Sequence, residues 1–276
     1  MSFDDKTAGT AQKDTFSLGQ VRRVAAMLDI DPQQFSDGDS LPRGWHFAML
    51  AGETTRRSLR PDGYPGLGVP MPQLDRPRLL LGQRSMSFQA DLRIGMPVLR
   101  QSAISSIIEK TGRNGPLSIV KIDHSLTPAD ADGTAVIEAQ VFYLSGHPTG
   151  PHSKAPAVLP DLPPDCPRMV VTPDNVMLFQ YSALGFNTHR IHFDRDYARN
   201  VEGHPDLVVN GGLASLLATE FLRTGLGLML HSVTAKHLAP LYVNRPMTIL
   251  ADIATGRVQM LDSDGGVAAD LAVTLT

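Results

Sequence analysis

The sequence predicts an α+β fold in which an antiparallel sheet wraps around one buried helix, and it predicts this arrangement twice in one chain. Three observations lead to this prediction. Each half has a helix-like segment followed by strand-like runs, the second such segment is apolar around most of its circumference, and a proline-rich segment separates the halves. The halves share no detailed sequence repeat, so the duplication is inferred from the order of elements alone.

In the first half, we expect a helix within residues 44–59, followed by an antiparallel meander. Apolar and polar residues alternate from Met86 to Ile94, which is the period of a half-buried strand. Further strand-like runs lie at 103–108, 117–122 and 134–144. Asn114-Gly115 is a strong signal for a hairpin turn between the first two of these runs.

Seven prolines fall between Ser145 and Arg168. Proline lacks the amide donor and fixes φ, so this segment is predicted to be neither an interior helix nor a central strand. The composition is typical of an extended connector that lies over the surface. The prediction therefore divides the chain into a first half at 1–144, a connector at 145–168 and a second half at 169–276.

The most apolar stretch of the second half, Leu213 to Leu230, predicts a helix that is enclosed by the protein. Its apolar side chains surround most of the circumference, so no face is suited to water. Three strands are expected after it, at 248–253, 257–261 and 267–275. The turn 262–266 separates the last two strands, which completes a second helix-then-meander unit.

The composition is that of a soluble globular protein without bulk attraction to nucleic acid or anionic membranes. Hydrophobic residues make up 42% and charged residues 19%, with a formal net charge of −3. Cys166 is the only cysteine, which excludes an internal disulfide and any multi-cysteine metal site. The polar, acidic N-terminus differs from a signal peptide, and Glu220 and Arg223 interrupt the most apolar stretch. We expect a cytoplasmic protein that binds neither nucleic acid nor membrane.

The densest polar cluster, YSALGFNTHRIHFDRDYA at 181–198, resembles the signature of the MaoC-like (R)-specific enoyl-CoA hydratases and dehydratases. In that family, a catalytic aspartate and a catalytic histidine stand five positions apart. Alignment on the HFD triplet places His192 on the family's histidine and Asn187 on its aspartate. His189 then falls on the family's asparagine, and Arg190 on its proline.

The form FNTHRIHFD is similar to a divergent double hot-dog branch that includes mesaconyl- and itaconyl-CoA hydratases and mitochondrial-type hydroxyacyl-thioester dehydratases. The stretch EKTGRNGPL at 109–117 resembles the degenerate, dehydratase-like N-terminal repeat of that branch. The resemblance extends from about Phe16 onward. It implies a double hot-dog fold, an acyl-CoA substrate, a homodimer, no metal and no cofactor.

The residue types at the motif suit hydration of an α,β-unsaturated thioester. Such a reaction needs a base for the attacking water, a proton for the α-carbon and stabilisation of a developing enolate. Histidine titrates near neutral pH, so His192 can take a proton and return it. The carboxamide of Asn187 can hold the water but cannot exchange a proton, which assigns the acid–base chemistry to His192. The alternative for Asn187 is a cap on a turn.

The segment LVVNGGL at 207–213 opens the enclosed helix, where unpaired N–H groups and the helix dipole favour negative charge. The backbone amides of Asn210, Gly211 and Gly212 are therefore candidates for an oxyanion hole, since glycine lets a ligand approach the backbone closely. The family usually has His-Gly-Pro or His-Gly-Met here, and this chain keeps the central glycine. The candidate substrate-binding residues are His189, Arg190, Asn210 and Lys236.

Several alternatives stay open on the sequence. Arg190 is either a solvated charge paired with Asp194 or a ligand for a substrate carboxylate, for which Arg84 is the other candidate. His46 and Trp45 stand at the equivalent place in the first half, where packing or contact with the acyl tail is expected.

Four functions compete. Subgroup resemblance favours hydration of a C5 dicarboxylic enoyl-CoA, itaconyl-CoA or mesaconyl-C4-CoA, to citramalyl-CoA, and so a role in itaconate degradation. The others are dehydration of hydroxyacyl groups on acyl carrier protein, non-catalytic thioester binding, and a hot-dog thioesterase. The last needs a carboxylate at the helix start, where the sequence has none.

Overall fold

The computed structural model describes residues 9–69, 71–72, 74–112, 115–147 and 157–276, which form ten strands and four α-helices. The strands of the first half are β1 (Thr10–Thr15), β2 (Arg78–Phe88), β3 (Pro97–Gly112), β4 (Gly115–Pro128) and β5 (Val136–Ser145). Those of the second half are β6 (Arg168–Val171), β7 (Leu230–His237), β8 (Met247–Asp252), β9 (Arg257–Leu261) and β10 (Val267–Leu275). The helices are α1 (Leu18–Met27), α2 (Asn175–Leu184), α3 (Arg195–Asn200) and α4 (Gly211–Glu220).

The strands of both halves join in one sheet, in the order β1-β3-β4-β5-β2-β7-β10-β9-β8-β6. All pairs are antiparallel, which confirms the predicted class. The sheets predicted for the two halves are continuous with each other. Strands β2 and β7 pair from Gln83↔Lys236 to Ser87↔Ser232, so the halves meet edge to edge through main-chain hydrogen bonds.

Helix α4 is enclosed as predicted, since every residue from Leu213 to Glu220 is buried. The predicted C-terminal boundary is wrong. After Glu220 the chain makes one π-helical turn over Phe221–Gly225, and Leu230 already belongs to strand β7. Gly227 adopts a left-handed conformation with φ of 67°, which glycine accepts without strain and which ends the helical path.

The predicted helix at 44–59 is also wrong. The structure has only two 3₁₀ segments there, Trp45–Leu50 and Arg56–Ser58. All six residues of the first segment are buried, so it takes the enclosed place that α4 takes in the second half. The chain then passes close to residues 65–66 at Gly52, where a Cβ would lie 2.7 Å from the Pro65 carbonyl oxygen. This crossing of the chain fits an extended segment better than a continued helix.

Two other predictions for the first half are compared with the strands of the structure here. Strand β2 ends at Phe88, so the second part of the predicted strand at 86–94 lies in a loop. Strands β3 and β4 pair as far as Gly112↔Gly115, whereas Asn114 of the predicted turn lies outside the described residues.

Residues 148–156 of the predicted connector also lie outside the described residues. Its C-terminal part packs along the second half. There the Val158 carbonyl accepts from the Val267 amide, and Asp161 accepts from Arg257 and Gln259. Within the described ranges, no helix is long and apolar enough to cross a membrane.

Candidate active site

A cavity of about 330 Å³ lies between the two halves, and both contribute to its wall. The first half supplies Phe47, Tyr64, Leu81, Arg84 and Gln140, among others. The second half supplies Tyr181, Asn187, His189, His192, Asn210, Gly211, Gly212 and His237. The structure thus brings together six of the eight residues selected from the sequence, from two segments that are 18 positions apart at their nearest members, His192 and Asn210.

His192 is held as a neutral imidazole at this cavity. It closes a short 3₁₀ turn, Arg190–His192, and its ring Nδ1 donates to the Val208 carbonyl at 2.8 Å. Burial lowers the pKa of His192 to about 4, although the bond to Val208 acts to raise that pKa. Because Nδ1 carries the proton, Nε2 has a lone pair, and Nε2 makes no hydrogen bond to any described residue. This arrangement suits a group that accepts a proton from a bound water.

The side chain of Asn187 caps a turn, which is one of the two roles that the sequence left as alternatives. Its Oδ1 accepts from the His189 amide at 3.0 Å, so the side chain caps the turn that carries His189. The amide of Asn187 in turn donates to the Ser182 carbonyl at the end of α2. The side-chain NH₂ group donates to no described residue, although Asn187 lines the cavity. One side chain therefore fixes the turn and keeps a donor for a ligand.

The N-terminus of α4 faces the same cavity. Gly211 and Gly212 are its first two residues, so their amides have no partner within the helix. A Cβ at Gly212 would collide with the Tyr181 hydroxyl, and glycine is required for that close packing. Asn210 precedes the helix and donates from Nδ2 to Ser182 Oγ at 3.3 Å, while its buried Oδ1 has no partner among the described residues.

Two of the candidate substrate-binding residues lie outside the cavity. Arg190 forms an ion pair with Asp194 at 2.7 Å, and its guanidinium lies 4.0 Å from the centre of the Tyr197 ring. Lys236 is exposed on β7, because side chains alternate along a strand and its neighbours Ala235 and His237 take the inner face. The expectation that these two cations line the pocket is therefore corrected by the geometry.

His237 was missed by the sequence reading, although it lies against the start of α4. Its ring atoms would lie 3.3–3.4 Å from a Cβ built on Gly211. Burial, and secondly the positive charge of Arg84, lower the pKa of His237 to about 4, and its Nε2 has no partner among the described residues. A signal was present, since His237 continues the inward-facing alternation of Val233 and Ala235 as a polar residue.

Arg84 lines the cavity, but its positive charge is balanced by the buried carboxylate of Glu138. Its Nε and Nη2 donate to the two carboxylate oxygens of Glu138, at 2.7 and 3.0 Å, and His46 Nε2 lies 2.6 Å from the same carboxylate. Burial acts to raise the pKa of Glu138, yet Arg84 and His46 together hold that pKa far below its usual value. The expectation of packing for His46 is thus refined, because it bonds to Glu138 and does not line the cavity.

Tyr181 completes the polar wall beside Arg84. Its ring stacks on Phe47 with centroids 4.5 Å apart, and burial raises the pKa of its hydroxyl to about 12. The hydroxyl is therefore a stable hydrogen-bond donor at neutral pH. No group of three His, Cys, Asp or Glu side chains in the described ranges is arranged to hold a metal ion.

Comparisons with known proteins define the fold and the family. A MaoC-like dehydratase from Phytophthora capsici superposes with a TM-score of 0.70 at 15% identity, covering 99% of this chain and 98% of that one. A Mycobacterium tuberculosis protein described as a double hot-dog superposes with a TM-score of 0.60 at 13% identity, covering 99% and 97%. Such distant likenesses show fold alone, and together with the helix-and-sheet arrangement they establish a double hot-dog.

Closer relatives then define the family. The model of the hydroxyacyl-thioester dehydratase type 2 family matches residues 44–243. Mesaconyl-C(4)-CoA hydratase of Chloroflexus aurantiacus is 33% identical over 269 residues, which cover 95% of this chain and 94% of that protein. The mitochondrial hydroxyacyl-thioester dehydratase type 2 of Schizosaccharomyces pombe is 37% identical over 83 residues, 29% of this chain and 28% of that one. The chain belongs to the hydroxyacyl-thioester dehydratase type 2 family, and it is a hydro-lyase.

Proposed function

We propose that the protein adds water across the carbon–carbon double bond of an α,β-unsaturated acyl-CoA. The observation that carries this proposal is the pairing of a neutral base with an anion-binding helix end in one cavity. His192 presents an unprotonated Nε2, and α4 begins at Gly211 and Gly212 on the same wall. The residues selected from the sequence therefore act together in this proposal, with His192 as base and the two amides as oxyanion hole.

In the proposed reaction, the thioester oxygen of the substrate lies against the amides of Gly211 and Gly212. His192 Nε2 takes a proton from water while the hydroxide oxygen bonds to the β-carbon, and the electron pair of the double bond moves toward the thioester. The glycine amides stabilise the enolate that develops. The protonated His192 then returns its proton to the α-carbon, so atoms and charge balance and the enzyme is regenerated.

The NH₂ group of Asn187 has a distinct part in this scheme. Its Oδ1 already accepts from the His189 amide, so the free NH₂ group is the part of the side chain assigned to the ligand, and it donates to the oxygen of the attacking water. Asn187 thus orients the water, and His192 alone moves protons. In this scheme the water and the base lie on one face of the substrate, so the hydroxyl group and the proton are both added to that face of the double bond.

For the substrate, we propose a C5 dicarboxylic enoyl-CoA, with mesaconyl-C4-CoA first and itaconyl-CoA second, each giving a citramalyl-CoA. The name of the Chloroflexus aurantiacus relative supports this choice. In the described part of the wall, Arg84 is the only arginine or lysine, and Glu138 already balances its charge. Its remaining Nη1, with His237 and Gln140, forms the polar surface that a substrate carboxylate would meet. We also propose that the protein is cytoplasmic, that it forms a homodimer and that it acts in itaconate degradation. The three-part domain division given above is part of the same proposal.

A panel of enoyl-CoA thioesters tests the proposal through the loss of absorbance of the conjugated thioester. We expect mesaconyl-C4-CoA to react with the highest kcat/KM, followed by itaconyl-CoA and then by crotonyl-CoA, which lacks the carboxylate. Failure of the wild-type protein to hydrate any of them, together with tight binding, would favour the non-catalytic thioester-binding function. Release of free CoA would favour the thioesterase, although no Asp or Glu is among the described residues of the wall.

Dehydration of a hydroxyacyl thioester is the second candidate, favoured by the family model and by the Schizosaccharomyces pombe relative. Dehydration uses the same groups with the steps in reverse order, so the residues of the site suit both candidates. The two candidates differ in the group that carries the acyl chain, which is CoA for the hydratase and acyl carrier protein for the dehydratase. A 3-hydroxyacyl group presented on acyl carrier protein and on CoA should be compared at equal concentration, and a higher kcat/KM on the carrier protein would select this candidate.

A further inference from the structure

The cavity lacks a carboxylate, but a buried carboxylate lies directly behind one of its histidines. No Asp or Glu is among the described residues of the cavity wall. Asn187 stands at the position where the motif of the MaoC-like hydratases has an aspartate. Asp62 Oδ2 nevertheless lies 4.0 Å from His189 Nε2. Asp62 belongs to the first half of the chain and is completely buried, whereas the motif with His189 belongs to the second half.

The position of the Asp62 carboxylate is closely determined. Arg60 Nε donates to both of its oxygens, at 3.0 and 3.3 Å, and the Tyr64 amide donates to Oδ1 at 2.9 Å. Oδ1 therefore accepts from two residues, whereas Oδ2, which faces His189, is bonded within the described residues to the Arg60 guanidinium alone, whose Nε and Nη2 each lie 3.0 Å away. This leaves Oδ2 able to accept a further hydrogen bond.

The turn that carries Asp62 is docked on the turn that carries His189. The Arg190 amide donates to the Asp62 carbonyl at 2.8 Å, and Thr188 Oγ1 donates to the Gly63 carbonyl at 2.6 Å. Gly63 has φ of 78°, and a Cβ there would collide with the Thr188 carbonyl. The two turns thus meet backbone to backbone, which holds the carboxylate opposite the ring.

His189 is the group whose state this carboxylate would control. Its ring is buried, its Nε2 has no hydrogen-bond partner among the described residues, and it meets the His192 ring edge to face with centroids 5.3 Å apart. Burial, followed by the charges of His192 and Arg60, keeps the pKa of His189 well below its usual value. A neutral imidazole has one N–H, so a nearby acceptor decides which nitrogen carries it.

We propose that Asp62 is a positioning residue that selects the Nε2–H form of His189, leaving Nδ1 as an acceptor beside His192. A shift of the ring by about 1 Å would bring Nε2 and Oδ2 to hydrogen-bond distance. Asp62 of the first half thereby supplies the negative charge that the Asn187 side chain lacks, and it acts through His189 and not on the substrate directly. The kinetic consequence rests on the proposed hydration.

Several charged and titratable groups surround Asp62 and His189. Arg60 and Tyr64 lie on either side of Asp62 in the chain, and the His192 ring faces the His189 ring. Other groups are more distant and act through their charge. These more distant groups are Glu202, Tyr197, Arg78 and His204. Arg78 lies 2.9 Å from Glu202 and balances the charge of that carboxylate. Within the described residues, Asp62 is the carboxylate that pairs with the His189 ring at 4.0 Å.

The tautomer of His189 can be measured by side-chain ¹⁵N NMR on the wild-type protein at neutral pH, with His189→Gln for assignment. We expect a neutral ring with the proton on Nε2. In Asp62→Asn, Oδ1 can still accept from Arg60 and Tyr64, so the NH₂ group replaces Oδ2 and donates to Nε2, which moves the proton to Nδ1. The Nδ1–H form in the wild type, or the same form in both proteins, would overturn the proposal whether or not hydration is observed.

Kinetics give the second test. Asp62→Asn should lower kcat of hydration about 10–100-fold and change KM less than about twofold. Because Asp62 acts through His189, the same change in a His189→Gln background should cause no further loss. The matched control is Thr188→Val, which removes the neighbouring contact between the same two turns. An equal loss in Thr188→Val, or losses that multiply in the double variant, would show that docking alone matters.

Discussion

Both halves bury polar groups at or next to the cavity, but these groups are paired in the first half and unpaired in the second. In the first half, His46 and Arg84 both bond to Glu138, so the charges behind the 3₁₀ segment Trp45–Leu50 are paired. In the second half, His192 Nε2 and His237 Nε2 make no hydrogen bond within the described chain. A buried polar group without a partner costs free energy, and both of these nitrogens belong to residues of the cavity wall, where a bound ligand can supply the partner.

This contrast explains why only one half is a candidate active site. The paired network of the first half is a satisfied structural core, and it reaches the cavity through Arg84 and through Gln140, which also donates to Glu138. The unpaired groups of the second half converge on the start of α4. Substitutions in the two networks should therefore have different effects, with loss of catalysis in one case and loss of stability in the other.

The largest effect is expected for His192→Ala. Removal of the base should lower kcat of hydration about 10²–10⁴-fold, because no other group of the proposed mechanism exchanges a proton with the water. Thermal unfolding should change little, since the ring makes only one hydrogen bond, to Val208. Near-native hydration of every enoyl-CoA by this variant would contradict the mechanism and the contrast between the halves.

A large change in stability is expected for Glu138→Gln. The buried guanidinium of Arg84 would lose its counter-charge, which costs about 3–5 kcal/mol of unfolding free energy in comparable buried pairs. Urea denaturation at neutral pH measures this change. The control is Arg84→Met with Glu138→Leu, which removes both charges and should recover most of the loss. A single-variant effect below about 0.5 kcal/mol would show that the pair is not a structural core.

The pH dependence of kcat/KM should locate the base in the second half. Burial lowers the pKa of His192 to about 4, so the neutral form is present above that value and is lost as the pH falls through it. The profile should therefore be level from neutral pH to about pH 5 and decline below. A decline centred at the ordinary value of 6.5 would contradict the neutral buried base.

His237 provides the control for that profile, because burial and Arg84 lower its pKa to about 4 as well. In His237→Gln, the acid decline should persist if it belongs to His192. A profile that becomes level down to pH 4 would assign the titration to His237 instead.

The smallest effects are expected at Asn187. Asn187→Ala loses the water donor and the turn cap, for which a fall in kcat of about tenfold is expected from one lost hydrogen bond. Asn187→Asp keeps the cap, since an aspartate oxygen can still accept from the His189 amide. It should retain much of the activity and add a second titrating group to the pH profile. Equal activity of Asn187→Ala and wild type would remove Asn187 from the mechanism.

Local sequence patterns predicted much of the fold and part of the site. The apolar circumference of α4 predicted its burial, and the resemblance of the motif at 181–198 to the hydratase signature selected Asn187 and His192, which the structure places at one cavity. The failures have a common origin. The helix expected at 44–59 yields to a chain crossing at Gly52, and Lys236 faces outward because of the phase of β7. Both depend on neighbours that are distant in sequence.

The sequence by itself determined the antiparallel α+β class, the enclosed helix and the motif from Asn187 to His192, because each depends on periodicity or spacing over fewer than about twenty residues. Only the tertiary structure decided that β2 joins β7, that His237 meets the start of α4, and that Asp62 faces His189. The physical reason is that strand pairing and turn docking bring together groups from separate segments. Burial then changes the pKa values of those groups, and burial is a property of the assembled chain.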